Sequence, residues 1–189
     1  NDYGEWWSLC DGFYKFQQNN KHLQFEGCGT VNIGDLKWNV KVSKTFFLNP
    51  DKDENEISFT VKYNIQNNSL EEFEGYFASE WCFNLLTGSD DDRFLYSRDR
   101  PLSIRKLGDL GDEVGLSHIS IKDEWQGLEI EFIFSEKSRV FNLPICTVSQ
   151  SENGQEKVYQ GNVILPCWEK VFHGNSNIDI SLTVKIKSL

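Results

Sequence analysis

The sequence has no methionine, only 4 prolines and only 3 histidines. Its cations are outnumbered, 19 Lys and Arg against 29 Asp and Glu, for a formal charge of −10. Each shortage excludes something. A chain without Met even at position 1 is expected to be a piece of something longer. The missing basic face argues against nucleic acid and anionic membrane surfaces as partners. No apolar run approaches the roughly 20 residues that span a bilayer. The opening Asn1-Asp2-Tyr3-Gly4-Glu5-Trp6-Trp7 has neither the basic nor the apolar region of a signal peptide. The five cysteines (Cys10, Cys28, Cys82, Cys146, Cys167) are odd in number and form no Cys-x-x-Cys pair. That fits neither a disulfide framework nor a zinc site and predicts reduced, mostly buried thiols in a cytoplasmic protein.

Catalytic signatures are equally scarce. There is no Gly-x-Ser-x-Gly elbow and no His-Glu-x-x-His. His22, His118 and His173 lie far apart with no nominated Ser or Cys partner, so structural or surface roles are expected. Asp51-x-Asp53-x-Asn55 imitates a calcium loop, but Glu56 and Lys62 stand where that loop needs Gly and Glu. Asp90-Asp91-Asp92 reads as a charged loop tip rather than a cation site. Glu129 and Glu131 share a strand face about 6.5–7 Å apart, and their alternation with Leu128, Ile130 and Phe132 is that of a strand facing solvent. No metal and no cofactor is implied.

What is present is aromatic: 14% of residues are Phe, Trp or Tyr. Strict alternation over residues 57–66 and 178–187 predicts half-buried strands. Shorter alternations occur at Trp38/Val40/Val42, Ile119/Ile121 and Leu128/Ile130/Phe132/Phe134, with apolar stretches over 76–86, 141–148 and 158–165. No apolar 3.6-residue period persists for ten residues, so few or no helices are expected. Ser69-x-x-Glu72 leaves room for a turn at most. The glycines of Gly27-Cys28-Gly29 suggest a bulge or bend, Asn153-Gly154 a tight hairpin, and residues 98–115 a long surface loop. Many antiparallel strands without linker or repeat predict an all-β, antiparallel β-sandwich forming a single domain over residues 1–189.

Three clusters pair aromatic rings with amides and acids, a chemistry suited to sugars. Glu80, Trp81 and Asn84 form the first, with Glu80 and Asn84 on one face and Trp81 on the other. Asp123, Glu124 and Trp125 form the second, at a strand turn. Gln150 and Glu152 precede the Asn-Gly turn and Gln160 follows it.

The run from Pro144 through Thr147-Val148-Ser149-Gln150-Ser151-Glu152-Asn153-Gly154 to Val158-Tyr159-Gln160-Gly161 and Leu165-Pro166-Cys167-Trp168 resembles a "TVSQSEGG-E-VYQG—LP-W" block. That block belongs to the C-terminal β-sandwich of the α-amylase/4-α-glucanotransferase branch of glycoside hydrolase family 57. Glu80-Trp81-Cys82-Phe83-Asn84-Leu85-Leu86 resembles its "VEWNFNLLAG" strand, and Asp123-Glu124-Trp125-Gln126-Gly127-Leu128 its "-DEW-GL" turn. Residues 1–16 match poorly. The resemblance implies a galactose-mutarotase-like supersandwich and a chain that is not catalytic alone. It also implies an N-terminal catalytic barrel as partner and α-glucan or maltooligosaccharide as ligand. The alternatives are a stand-alone mutarotase-type epimerase and a structural interdomain spacer. His118 or His22 closing on a strand carboxylate would favour the epimerase.

Overall fold

The computed structural model describes residues 15–18, 22–49, 55–151 and 154–189. Every regular element among them is a β-strand: β1 (Lys15–Gln18), β2 (His22–Ile33), β3 (Leu36–Asn49), β4 (Glu56–Asn67), β5 (Phe73–Ala78), β6 (Trp81–Phe83), β7 (Arg93–Tyr96), β8 (Gly111–Asp123), β9 (Leu128–Ser151), β10 (Gly154–Phe172) and β11 (Ser176–Ser188). The hydrogen-bonded pairs are antiparallel. The all-β, helix-free expectation holds, and β4 and β11 coincide with the two long alternations.

The chain packs as two compact units. One comprises β1 to β3 with Phe59–Gly75 and Glu169–Leu182; the other comprises residues 55–58, Tyr76–Trp168 and Thr183–Leu189. In the first, the strand order is β1-β2-β3-β4-β11. Its buried face carries Trp38, Val40, Val42, Val61, Tyr63 and Ile65, with Ile180 and Leu182 from β11. Phe73 stacks on Phe172 at 4.6 Å and meets Trp38 at 5.3 Å. The β2–β3 register runs unbroken through Gly27↔Val42, Cys28↔Lys41 and Gly29↔Val40, so the expected bulge there is absent. Asn67 closes this unit. Its amide donates to the carbonyls of Glu71 (2.8 Å) and Phe172 (3.0 Å) and accepts from the Ser69 N–H (3.0 Å).

The second unit is organised by β9. Its 24 residues join what the sequence suggests are two strands. Residues 128–142 pair with β8 and residues 139–151 with β10. Phe132, Phe134, Ile119, Ile121, Ile164 and Trp168 make the buried face, with Phe134 and Phe77 against the Trp168 ring. The stretch expected as a surface loop ends at residue 110, where β8 begins, and its Leu107 is fully buried. Ser151 pairs with Gly154, so two residues close the β9–β10 hairpin. Those two, Glu152 and Asn153, lie outside the described residues, as does most of the calcium-loop imitation.

Among the described cysteines the thiols are not mostly buried: Cys28 and Cys82 are exposed, Cys146 is half-buried and only Cys167 is buried. Cys82 sits outward on a three-residue strand whose other side faces Phe132. Burial pushes the Cys167 thiol up to about 11.

Removing the Asn67 amide leaves two carbonyls and one N–H without it. Asn67→Ala is expected to cost about 2–3 kcal/mol in chemical denaturation, with the denaturant slope unchanged.

Candidate functional site

The segment Asp123-Glu124-Trp125-Gln126-Gly127 turns β8 into β9. Asp123 pairs with Leu128, so four residues close it. One Asp123 oxygen accepts the Gln126 N–H (2.9 Å), and Gly127 takes the left-handed conformation (φ 66°) that ends the turn. The other oxygen accepts from Arg93 Nε at 3.2 Å. Asp123 is therefore buried, at 1% exposure, and shapes the turn from beneath. Glu124 is exposed, pairs with Lys122 (3.1 Å) and donates its N–H to the Asp92 carbonyl (2.8 Å). Trp125 stands out at the tip with 73% of its surface exposed, and the Arg93 guanidinium lies 6.0 Å from its ring.

Arg93 is the hub of this corner. Its side chain is buried and also binds Asp90 (3.1 Å) and Asp92 (3.2 Å), while Asp91 pairs with Lys106 (3.2 Å). Each acid of the Asp90-Asp91-Asp92 run thus faces one of the protein's own two cations here, Arg93 or Lys106. Among the described residues no three His, Cys, Asp or Glu groups could hold a metal.

The first cluster splits as its alternation predicts. Glu80 and Asn84 face outward, and Glu80 accepts the Cys82 S–H at 3.3 Å. Burial first, and then Glu80, raise the Cys82 thiol. Trp81 turns inward, its ring edge-on to Phe132 (5.6 Å) and its N–H donated to Ser79 (2.9 Å). In the third cluster Gln150 is exposed, and Gln160 occupies a β-bulge and donates to Thr147 Oγ1 at 3.2 Å. The β6–β10 pairing places Asn84 beside Gly161, and so next to Gln160. The first and third clusters meet there.

Sequence reasoning missed a buried polar cluster. Glu131 and Glu129 do not face solvent: Glu131 is 1% exposed and Glu129 is half-buried. Ser120 pairs with Glu131 and Lys122 with Glu129 across β8 and β9, so polar residues on both strands share one face. Residues 98–100 fold onto that face. The Arg98 guanidinium and Lys187 (3.1 Å) both bind Glu131, and Asp99 accepts the N–H groups of Ser117 (2.6 Å) and His118 (3.1 Å). Burial pushes Glu129 up, but hydrogen bonds from Tyr96 and Ser120 and the charges of Lys187 and Arg98 outweigh it and hold Glu129 below the usual carboxylate range.

His118 Nε2 lies 3.1 Å from Glu131, which is the His–carboxylate pair an epimerase would call for. Its Nδ1 accepts the Arg98 N–H at 3.1 Å, so the proton resides on Nε2 and the ring is neutral. Burial, aided by the charges of Arg98 and Lys187 and opposed by Asp99 and Glu129, takes its pKa down to about 4.

The fold on which these sites sit is an antiparallel β-sandwich of the galactose-mutarotase-like type. The chain superposes on a galactose mutarotase-like protein from Lactobacillus casei with a TM-score of 0.62 at 12% identity, covering 92% of this chain and 72% of that one. It superposes on 4-alpha-glucanotransferase from Thermococcus litoralis with a TM-score of 0.64 at 16% identity, covering 93% of this chain and 22% of that one. The family described as "Alpha-amylase/4-alpha-glucanotransferase, C-terminal" matches residues 1–182, and the chain belongs to it. A curated relative, Alpha-amylase 1 of Dictyoglomus thermophilum, is 28% identical over 131 residues, 66% of this chain. The chain spans 17% of that relative. No helix among the described residues is long and apolar enough to cross a membrane.

Two outcomes test this chemistry. Arg93→Ala leaves Asp123 buried without its cation and is expected to cost about 3 kcal/mol in chemical denaturation. His118 titrates near 6.5 when unfolded and near 4 when folded. The folded state therefore binds fewer protons between those values, and stability falls as pH drops from about 6.5 to 4. His118→Asn, which keeps an acceptor for the Arg98 N–H, should flatten that slope by up to about 3 kcal/mol in denaturation curves taken across the window.

Proposed function

We propose that this chain is the non-catalytic accessory domain of an α-glucan-processing enzyme of the α-amylase/4-α-glucanotransferase type. In this reading it supports an N-terminal catalytic barrel in the cytoplasm and contacts α-glucan. The observation that carries it is the family match over residues 1–182. The sugar-facing set we assign is Trp125 with Glu124, and Glu80 with Asn84, Gln150 and Gln160, all exposed. Asp123 and Trp81 support it from the interior, by shaping the turn and by filling the space beside Phe132. An indole offered to solvent between polar groups can stack on the C–H face of a glucosyl ring while the carboxylate and amides take hydroxyls.

The His118–Glu131 pair is the observation that favours a mutarotase-type enzyme instead. Its burial weighs against that. His118 is 5% exposed, its Nδ1 is already occupied by a backbone N–H, and Glu131 is held by Arg98 and Lys187. His118 Nε2 also has Ser120 Oγ at 3.1 Å, so both ring nitrogens are engaged within the protein.

The test is electrophoresis of the 189-residue chain in gels containing amylopectin. Wild type should be retarded. Trp125→Ala should bind about tenfold more weakly, about 1.4 kcal/mol, with an unchanged thermal midpoint. An unretarded wild type overturns the glucan-binding reading, and accelerated mutarotation of α-D-glucose in polarimetry would restore the enzyme.

A further inference from the structure

A groove of about 460 Å³ opens on the second unit, away from the acid-lined Trp125 turn in sequence and built from different segments. One wall is residues 86–89, a second is the loop at 106–109, and the floor is the β9–β10 pair at Cys146 and Tyr159. Its volume lies in the range of sites that enclose small ligands.

The groove is held open by an uninterrupted set of directed hydrogen bonds. Tyr159 Oη donates to Asn162 Oδ1 (3.0 Å), and Asn162 Nδ2 donates to Asn142 Oδ1 (2.8 Å). Asn142 Nδ2 then donates to the carbonyls of Leu107 (2.9 Å) and Asp109 (2.7 Å). Both amides are buried, so their orientation is fixed by these partners and the loop is tied to the sheet. Burial takes the Tyr159 phenol up to about 12, keeping it protonated as the donor of the chain. The two walls touch through Gly108 N–H to Gly88 O (2.8 Å), and the Tyr159 ring packs on Gly88 so closely that a Cβ there would lie 2.7 Å from it. Only glycine permits that contact. At the lip, Leu86 holds a left-handed backbone (φ 43°), a conformation that costs a non-glycine residue energy, while its side chain stands 65% exposed.

The lining chemistry selects the ligand. Leu86, Val158 and Tyr159 give an apolar surface. Lys106 is already engaged by Asp91 (3.2 Å) and the Ser89 carbonyl (2.9 Å), and Lys157 shares the lining with Asp109 and Glu156, so no surplus positive charge is left to draw an anion. Thr87 and Ser89 add hydroxyls. A neutral, polyhydroxylated molecule with an apolar face meets all three features. We infer that this groove is a carbohydrate-binding site that takes a short segment of neutral α-glucan. It does not include Trp125, though its Lys106 also pairs with Asp91 of the Arg93 corner, and the inference rests on the accessory-domain reading for the identity of the sugar.

The test is titration calorimetry of the full chain with maltoheptaose. Val158→Trp and Ser89→Trp each place an indole in the groove, one from its floor and one from its rim. Each is made on the Trp125→Ala background, so that the titration reads the groove alone, and is expected to weaken maltoheptaose binding at least tenfold relative to that background. Thermal midpoints identify a variant that fails to fold, in which case the other decides. Undiminished binding in the filled variants overturns the groove and leaves the accessory-domain reading standing. A wild type that ignores maltoheptaose but is still retarded by amylopectin through Trp125 does the same. A wild type that binds neither sugar overturns both.

Discussion

Two buried amides, Asn142 on β9 and Asn162 on β10, fix the working part of the second unit. A buried amide that lacks partners costs about 1–3 kcal/mol, so such groups persist only where geometry satisfies them. Here every group of the chain is satisfied in one direction, from the Tyr159 hydroxyl to the carbonyls of Leu107 and Asp109. An apolar pair in the same place would fill the space but would not tell the loop where to sit. The amides convert a loop of glycine and charged residues into a fixed wall, and the groove exists because that wall is fixed.

The same unit buries ionised groups in three other places, Glu113 beside Arg100 (2.8 Å) among them, and all follow one rule. Arg93 is surrounded by Asp90, Asp92 and Asp123, and Glu131 by Arg98 and Lys187. Desolvating a lone charge is too costly to sustain, so each is matched on site. Matching also removes chemical freedom. His118 and Glu131 have the identities of an acid–base pair, yet the ring is neutral, closed over and fully bonded. A buried carboxylate held by two cations, beside a ring whose nitrogens are both engaged within the protein, is poorly suited to moving a proton to or from a sugar.

Much of this architecture was legible in the sequence. Period-two alternation located β4 and β11, and the absence of a helical period was as informative as the strands. The Asp-Glu-Trp-Gln-Gly turn was legible in kind, because Asp accepting a nearby N–H and Gly at positive φ are local chemistry. The depth of Glu131 was not. Alternation says which residues share a face but not what lies over it, and the cover comes from residues 98–100, far from β9 in sequence. The continuity of β9 was hidden for a related reason. Its middle, residues 135–140, is polar enough to read as a break, and only pairing with β8 on one side and β10 on the other carries the strand through. For Gly27 and Gly29 the local signal misled, since glycine permits a bulge without requiring one.

The two kinds of exposed chemistry on the second unit differ in how they are held, and that bears on what each can do. Trp125 sits on a four-residue turn anchored by one buried cation beneath it, which leaves its ring standing out at the tip, 73% exposed. Such a platform suits a long polymer, where many weak contacts along one face add together. The groove is concave and rigidly framed, so it rewards a short segment whose hydroxyls fit its walls. A domain carrying both could hold a glucan chain loosely along its face and register one stretch of it at a fixed point. In the proposed accessory role, registration of that kind is what a catalytic partner would take from this domain.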